Sequence, residues 1–392
     1  MSGESSPEST ARWLVSAQGR AEVDAEPDPD SLSAAERLRR RLPAERAAAV
    51  LNQVALRRRA VGKFGAAAAS MFFTPDALEQ ASRPTVSAWR ASRFVAAGAT
   101  TVVDLGCGIG ADAVAMRAAG LAVVAVERDP VTAVFASANL GQDVLVADAE
   151  AMALPDDAAV FIDPARRTSR GRTWNVADFS PAWDFVVGLL AREAPVNVKL
   201  GPGVPYRMLP EGVEATWVSE HGDVVEASLW SGEFAPGVRA ALLLPSGFTR
   251  RARGGVAAAV RRPQPGDVLL EPDGALIRAG CIDDLAAELG AARVHPDIAY
   301  LLSSDAASGQ GELVSSGAMA AFEIDEVLAY REKDLRAWVR RCDIGTLEIK
   351  KRGVDVDPAS LRRRLRPSGT EHATLVLSPT ASGAVALACR RL

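Results

Sequence analysis

Three glycines that alternate with other residues constrain this chain more than any other feature of its sequence: Gly106, Gly108 and Gly110. They follow a short apolar run, Thr101–Leu105, and precede a helical pattern. A second apolar run then ends on Glu127, 23 residues after Asp104. This order predicts a β-strand, a glycine turn, an α-helix and a parallel β-strand. The helix would present free N–H groups to a ligand bound at the turn.

Two classes of nucleotide cofactor fit such a turn. The spacing G-x-G-x-x-A, which runs from Gly106 to Ala111, fits NAD or FAD. The spacing D-x-G-x-G-x-G, which begins at Asp104, resembles motif I of the class I S-adenosylmethionine-dependent methyltransferases. A carboxylate beside the turn suits the ammonium group of a methionine moiety and opposes a pyrophosphate. The sequence therefore favours S-adenosylmethionine as the cofactor, and no paired His or Tyr/Lys for hydride transfer is apparent.

The resemblance to motif I implies roles for the residues around the turn. The glycines would cradle the methionine end of the cofactor, with Cys107 as a small residue of the turn rather than a nucleophile. Glu127 would accept hydrogen bonds from both ribose hydroxyls. In this fold an acid at the end of the third strand commonly accepts the adenine amino group, which points to Asp148. The predicted cofactor-binding residues are Asp104, Gly106, Cys107, Gly108, Gly110, Glu127, Arg128, Asp148 and Ala149.

A second motif follows the apolar run 159–162. Catalytic groups of doubly wound sheets lie at the carboxyl ends of strands, and Asp163-Pro164 resembles motif IV of methyltransferases that act on nitrogen. The resemblance implies that the Asp163 side chain and the adjacent carbonyl hold the target amine with its lone pair toward the methyl group. Asp163 and Pro164 are therefore the predicted catalytic residues. The aromatic residue that usually follows the proline is absent, since Ala165 and Arg166 occupy those positions.

Stacking on a base would then come from elsewhere in the chain, or the target is not a base amine; the candidates are Phe73, Trp174 and Trp183. The turn around Thr74 resembles one that precedes the catalytic domain of trimethylguanosine-synthase-like methyltransferases. Its aromatic residues either cover the ligand or pack as part of a helical lid. The loop 166–172 holds four arginines, which can bind phosphate bidentately. The residues predicted to bind substrate here are Phe73, Thr74, Arg166, Arg167 and Lys199.

Charge is distributed unevenly along the chain. The formal net charge is −4, yet residues 331–366 contain twelve Lys/Arg and six Asp/Glu, a balance of +6 that leaves −10 for the rest. Lys350, Lys351 and Arg352 end a predicted strand, and 362–364 are arginines on a predicted helix. Such clusters are typical of a surface that binds phosphates, although a solvated basic face has the same composition. We therefore expect Lys350, Lys351 and Arg352 to contact phosphates of a substrate.

The order of these parts resembles a bacterial family of class I methyltransferases with a C-terminal THUMP-like domain. It implies an α/β fold: a Rossmann-like doubly wound sheet with an antiparallel terminal hairpin, an N-terminal helical region and a small C-terminal α+β domain. The predicted boundaries are a loosely ordered N-terminus (1–30), a helical domain (31–98), a methyltransferase domain (99–248), an intermediate α/β segment (249–319) and the THUMP-like domain (320–392). Other THUMP domains bind tRNA acceptor ends, so the resemblance implies methylation of tRNA or rRNA.

Several other kinds of protein are disfavoured by composition. No stretch approaches the ~18 uninterrupted apolar residues of a membrane span, and the polar N-terminus does not read as a signal peptide. The four cysteines lack C-x-x-C spacing and the three histidines are far apart, so no metal site is expected. These features fit a cytoplasmic protein. The alternatives left open are a small-molecule or protein methyltransferase and an RNA-binding protein without activity.

Overall fold

The computed structural model describes residues 6–26, 29–166, 174–232, 234, 237–304 and 310–392. The chain forms two compact units. The first unit comprises Met1–Glu214 and Ala227–Gly237, and the second comprises Ala215–Glu226 and Val238–Leu392.

The helices are α1 (Pro7–Val15), α2 (Ala17–Asp24), α3 (Leu32–Arg41), α4 (Ala44–Phe64), α5 (Pro75–Gln80), α6 (Pro84–Ala96), α7 (Ala111–Ala118), α8 (Pro130–Leu140), α9 (Trp183–Leu190), α10 (Gly274–Ala279), α11 (Ile282–Glu288), α12 (Gln310–Ser315), α13 (Glu332–Arg341) and α14 (Pro358–Leu365). Short 3₁₀ turns occur at Gly65–Ala69, Ala149–Ala151, Val176–Asp178 and Tyr206–Met208.

The strands are β1 (Thr101–Leu105), β2 (Ala122–Glu127), β3 (Leu145–Val146), β4 (Ala159–Ile162), β5 (Ala165–Arg166), β6 (Phe179–Ser180), β7 (Val196–Leu200), β8 (Glu214–Glu220), β9 (Asp223–Trp230), β10 (Arg239–Leu244), β11 (Phe248–Arg251), β12 (Val268–Pro272), β13 (Ala292–His295), β14 (Ile298–Ser303), β15 (Met319–Ala329), β16 (Ile344–Lys351), β17 (Glu371–Thr380) and β18 (Gly383–Arg391).

The first unit begins with the helices α1 to α6. Thr74 accepts a hydrogen bond from the Ala77 N–H at 3.3 Å and caps α5, whose first residue is a proline. The expectation of a loosely ordered N-terminus is wrong for residues 6–26. Helix α1 buries Trp13 and Leu14 in one core with Phe135 of α8, so this segment gains enough apolar burial to be ordered.

The sheet of the first unit has the order β3-β2-β1-β4-β7-β9. Strands β1, β2, β3, β4 and β7 pair in parallel, and β9 pairs antiparallel with β7. The predicted doubly wound sheet with an antiparallel ending is therefore confirmed. Strand β9 continues into the second unit, where β8 and β10 pair in parallel and β11 pairs antiparallel with β10. Strand β11, which contains two arginines, was not predicted from the sequence.

The second unit also contains a seven-stranded sheet of order β13-β14-β12-β15-β18-β17-β16. Strand β12 pairs antiparallel with β14 and with β15, so the predicted intermediate segment and the predicted THUMP-like segment contribute to one sheet. Helices α13 and α14 bury Leu335, Trp338 and Leu361 in the core of this sheet. The α+β character predicted for the C-terminal part is confirmed.

Among the described residues, none of the helices combines the length and the apolar character that a membrane span requires.

Candidate active site

The register of the parallel strands aligns their carboxyl ends. Leu105 of β1 lies opposite Val126 of β2 and Ile162 of β4. The residues that follow these three positions therefore meet at one edge of the sheet: Gly106, Glu127 and Asp163. Two motifs that are far apart in the sequence thus share one site.

The glycine turn has a backbone conformation that side chains other than glycine rarely adopt. Gly106, Gly108 and Gly110 have φ angles of 79°, 56° and 81°. Apart from the glycine and its two chain neighbours, no atom of the described residues lies within 4 Å of the position that a Cβ atom would take at Gly106 or Gly108. The turn therefore leaves open space where a ligand can approach the backbone.

Glu127 is held by the turn beside it. Its Oε2 atom accepts a hydrogen bond from the Gly108 N–H at 3.1 Å, and its Oε1 atom accepts one from the Asp129 N–H at 2.9 Å. A carboxylate oriented by two backbone donors is ready to accept hydrogen bonds from hydroxyl groups.

A cavity of about 290 Å³ opens at this edge of the sheet, close to the lower limit of the roughly 300 to 1,000 Å³ typical of ligand pockets. Its lining residues are Gln80, Leu105, Gly106, Gly108, Glu127, Arg128, Ala147, Asp148, Ala149, Glu150, Asp163, Ala165, Ser180 and Pro181. Six of the nine predicted cofactor-binding residues line this cavity, and so does the predicted catalytic residue Asp163. The other three, Asp104, Cys107 and Gly110, do not line it.

Asp104 lies behind the cavity at the end of β1. Its side chain is fully buried, and neither carboxylate oxygen has a hydrogen-bond partner among the described residues. Burial raises the pKa of Asp104 well above its ordinary value, and the nearby carboxylates of Asp112 and Asp163 raise the pKa further. A buried carboxylate without a partner is costly unless a cation or donor joins it.

The charge of Arg90 acts to lower the pKa of Asp104, but the guanidinium group of Arg90 is hydrogen-bonded to other residues. Arg90 of α6 is fully buried and donates to Asp112 at 3.1 Å and to Asn197 at 3.1 Å. Burial alone would raise the pKa of Asp112, but the charges of Arg90 and Lys199 together with hydrogen bonds from two serines outweigh it and lower that pKa. Arg90 therefore pairs with Asp112, whereas Asp104 has no hydrogen-bond partner among the described residues.

Asp163 is held from the neighbouring strand. The Lys199 ammonium group donates to Asp163 Oδ2 at 2.6 Å and to the Gln80 carbonyl at 2.6 Å. The side chain of Asp163 is 31% exposed and faces the cavity, whereas that of Lys199 is only 12% exposed.

The remaining predicted residues near the site have different positions. Phe73 is fully buried and packs on Phe64 with ring centroids 5.7 Å apart, so its predicted contact with substrate is wrong and the packing alternative holds. Thr74 caps α5 and does not line the cavity. The Arg166 backbone pairs with that of Phe179.

Arg167 lies outside the described residues. Cys107 donates weakly to the Gly108 carbonyl, with its sulfur 3.7 Å from that oxygen, and burial raises the pKa of its thiol well above the ordinary value. A thiol that stays protonated is a poor nucleophile; the absence of a nucleophilic role for Cys107 stays a prediction. Pro164 is buried directly after the catalytic candidate.

The predicted basic strand end, Lys350 to Arg352, lies in the second unit. Two of its three positive charges pair with one carboxylate. Glu271 accepts hydrogen bonds from Lys350 at 2.8 Å, Arg352 at 3.5 Å and the Tyr300 hydroxyl at 3.3 Å. Of the three cations predicted to bind RNA, Lys351 is exposed. We call Glu271, Tyr300, Lys350 and Arg352 the Glu271 cluster.

Sequence reasoning missed several residues of the first site: Gln80, Arg90, Asp112, Glu150 and Ser180. Only Asp112 carried a signal, as an acid directly after the glycine turn, and it reads equally well as an ordinary first-turn residue of a helix. No group of three or more potential ligands for a metal ion occurs within the part of the chain that the structure describes.

The site fits S-adenosylmethionine chemically. The unpartnered carboxylate of Asp104 suits an ammonium group, the open turn accepts close approach, and the oriented Glu127 suits ribose hydroxyls. A pyrophosphate would instead meet several carboxylates here.

Comparison with known proteins agrees with this assessment. An uncharacterised S-adenosylmethionine-dependent methyltransferase of Mycobacterium tuberculosis, found in two strains, is 33% identical over 356 residues, which cover 87% of this chain and 95% of the relative. A crystal structure of a proposed methyltransferase from Porphyromonas gingivalis shares the fold, with a TM-score of 0.72 and 23% identity over 99% of this chain and 98% of that one. Residues 319–391 match a family described as THUMP domain-like, and 8–60 match a domain of unknown function.

Proposed function

Because this chain belongs to the S-adenosylmethionine-dependent methyltransferases, we propose that it methylates a nitrogen of a base in RNA, either tRNA or rRNA. S-adenosylmethionine is its cofactor and supplies an electrophilic methyl group. The THUMP-like C-terminal domain supports an RNA substrate.

One observation carries the proposal: Asp163 lines the same cavity as Glu127 and Asp148. The acceptor group and the cofactor can therefore be held side by side. Reaction would depend mainly on proximity and alignment, since the nitrogen lone pair must point at the methyl carbon. The cofactor would supply the methyl group and leave as S-adenosylhomocysteine, with the N–C bond formed as the S–C bond breaks and the proton of the nitrogen passed to solvent water.

Each residue of the cavity has a proposed role. Glu127 holds the ribose, Asp148 the adenine, and Asp104 behind the turn faces the ammonium group. Asp163 and the Pro164 segment position the acceptor amine. Arg128 and Ala149, which follow Glu127 and Asp148 in the chain, line the same cavity and would contact the cofactor beside them.

The first experiment is calorimetric titration with S-adenosylmethionine, alone and with total tRNA present. We expect micromolar cofactor binding, RNA binding that weakens steeply in salt, and methyl label in digested RNA nucleosides. Cofactor binding without RNA affinity or label would contradict an RNA substrate.

The Glu271 cluster favours a second candidate, methylation of a small molecule or a protein. Lys350 and Arg352 already share one carboxylate, so their charge is less available to phosphates. This candidate predicts little salt dependence of substrate binding. Truncation after residue 320 cannot test it, because β12 and β15 pair in one sheet; point variants of the cluster can.

A further inference from the structure

Lys199 lies between the predicted catalytic aspartate and the N-terminal helices of the same unit. Its ammonium group uses two of its three donors on Asp163 and on the Gln80 carbonyl, each at 2.6 Å. Its side chain is only 12% exposed. A cation bound in this way has little capacity left for a phosphate of the substrate.

The sheet register explains why Lys199 reaches Asp163. Ile162 of β4 lies opposite Val198 of β7, so the residues that follow are side by side at the carboxyl edge. Parallel neighbours lie about 4.8 Å apart, a distance that a lysine side chain spans easily. The contact is therefore built into the sheet.

The second partner of Lys199 belongs to the end of α5, and this end is fixed independently. Lys63 of α4 donates to the carbonyls of Leu78, Glu79 and Ala81 at 2.6, 3.0 and 2.9 Å. Gln80, whose carbonyl binds Lys199, lines the cavity together with Asp163. The turn capped by Thr74 thus places a fixed acceptor beside the active site.

We propose that Lys199 is a positioning residue, which fixes one oxygen of Asp163 so that the other meets the acceptor nitrogen. Among the described residues, Asp163 Oδ1 accepts no hydrogen bond, while Oδ2 is taken by Lys199. The inference rests on the proposed function only in treating Asp163 as the group that binds the acceptor. The proposal gives Lys199 a role in holding Asp163, in place of the contact with substrate that the sequence predicted.

The test compares Lys199→Met with Lys199→Arg. We expect the methionine variant to lower kcat about 10- to 100-fold, because a misplaced reactive group costs rates of this order. The KM for RNA and the cofactor Kd should stay within about threefold of wild type, and arginine should restore most of kcat. If Lys199→Met instead raised KM and left kcat unchanged, and if this rise in KM disappeared in high salt, Lys199 would contact the substrate. That result would overturn the proposal.

A double-mutant cycle separates positioning from a structural role. In an Asp163→Asn background, Lys199→Met should change kcat less than about twofold, since its effect passes through the aspartate. Full additivity of the two losses overturns the proposal. Lys63→Met is the matched control, because Lys63 binds the same helix end without touching Asp163; it should retain kcat within about threefold.

Failure of the RNA substrate is distinguishable from failure of this inference. If wild-type protein transfers no methyl group to RNA, the proposed function fails, and hydrogen–deuterium exchange of the cofactor-bound protein decides the role of Lys199. Lys199→Met should then speed exchange near both Gln80 and Asp163, and Lys63→Met only near Gln80. Unchanged exchange near Asp163 would overturn the inference.

Discussion

Each unit has a region of ionisable side chains at the ends of its strands, and the two regions differ in whether these side chains are paired. Behind the cavity of the first unit, Asp104 is buried with no hydrogen-bond partner among the described residues, and Asp163 has an oxygen that none of them binds. In the Glu271 cluster of the second unit, Lys350 and Arg352 share one carboxylate and are largely satisfied within the protein. A buried ionisable group without a partner is costly to keep, and it is therefore the stronger indication of a ligand.

The comparison also shows that the number of charged residues in a segment says little about its free charge. The C-terminal segment stood out for its positive balance, yet Arg336 and Arg364 both pair with Glu332, and Arg341 pairs with Glu326. Exposed pairs of this kind are worth little to stability and can exchange partners with a phosphate. The proposed RNA binding would therefore require these cations to exchange partners, whereas a ligand at the cavity would supply a missing partner.

The largest effect is expected for the oxygen that faces the acceptor. Asp163→Ala should reduce methyl transfer by at least roughly 100-fold, because the acceptor loses its alignment. The cofactor Kd, measured by calorimetry, should change less than about threefold. Equal losses of cofactor binding and of turnover would show that the two parts of the cavity do not act separately.

Cofactor binding should depend most on the oriented carboxylate of β2. Glu127→Ala removes hydrogen bonds to a charged acceptor, each worth about 1.5 to 3 kcal/mol, so the Kd for S-adenosylmethionine should rise about 10- to 100-fold. Glu127→Gln keeps one acceptor oxygen, so its Kd for S-adenosylmethionine should lie between that of the alanine variant and that of the wild type. Unchanged affinity in the alanine variant would place the ribose elsewhere.

The unpartnered Asp104 predicts a gain in stability from its removal. Below about pH 4 this carboxyl is protonated in both states and contributes no pH dependence. Above that pH the unfolded chain ionises it while burial keeps it protonated in the folded protein. Stability then falls, by up to about 1.4 kcal/mol per pH unit, until the raised pKa is reached.

Asp104→Asn removes this fall in stability with rising pH, because the asparagine side chain does not ionise. In urea unfolding of the cofactor-free protein, its stability relative to wild type should rise by up to about 1.4 kcal/mol between pH 5 and pH 6. Its affinity for S-adenosylmethionine should fall in the same preparations. A variant that is less stable than wild type at every pH would mean that Asp104 has a structural partner.

Much of the first region was predictable, and the reasons are local. Apolar runs followed by Gly106, Glu127 or Asp163 mark strand ends, and parallel strands must bring those ends to one edge. The roles of these residues remain predictions. The substrate contact predicted for Phe73 could not be judged from the sequence, because an aromatic residue before a turn has the same local pattern whether it packs in the core or faces a ligand.

The partners of the charges were not predictable. Arg90 carries no pattern, since a buried arginine looks in sequence like any arginine on a helix face. Glu271 and Lys350 are 79 residues apart, and their contact depends on a sheet that joins two segments predicted to be separate. Pairings between distant segments set the free charge of both regions, and a single sequence does not contain that information.

The smallest expected effect concerns the cations of the second region. Glu271→Gln releases Lys350 and Arg352 to the solvent, so RNA binding should strengthen about two- to fivefold at low salt. The dependence of log K on log salt should steepen by about one, as expected for one or two additional phosphate contacts.

Glu348→Gln is the matched control for this prediction. It removes the same charge from the same region, but Glu348 is 51% exposed and lies 3.8 Å from Lys350, compared with 2.8 Å for Glu271. Its effect on affinity should stay below about twofold, because such an exposed pair contributes little. If both variants leave the salt dependence unchanged, the released cations do not meet phosphates, and the second region differs from the first in having no charged ligand at all.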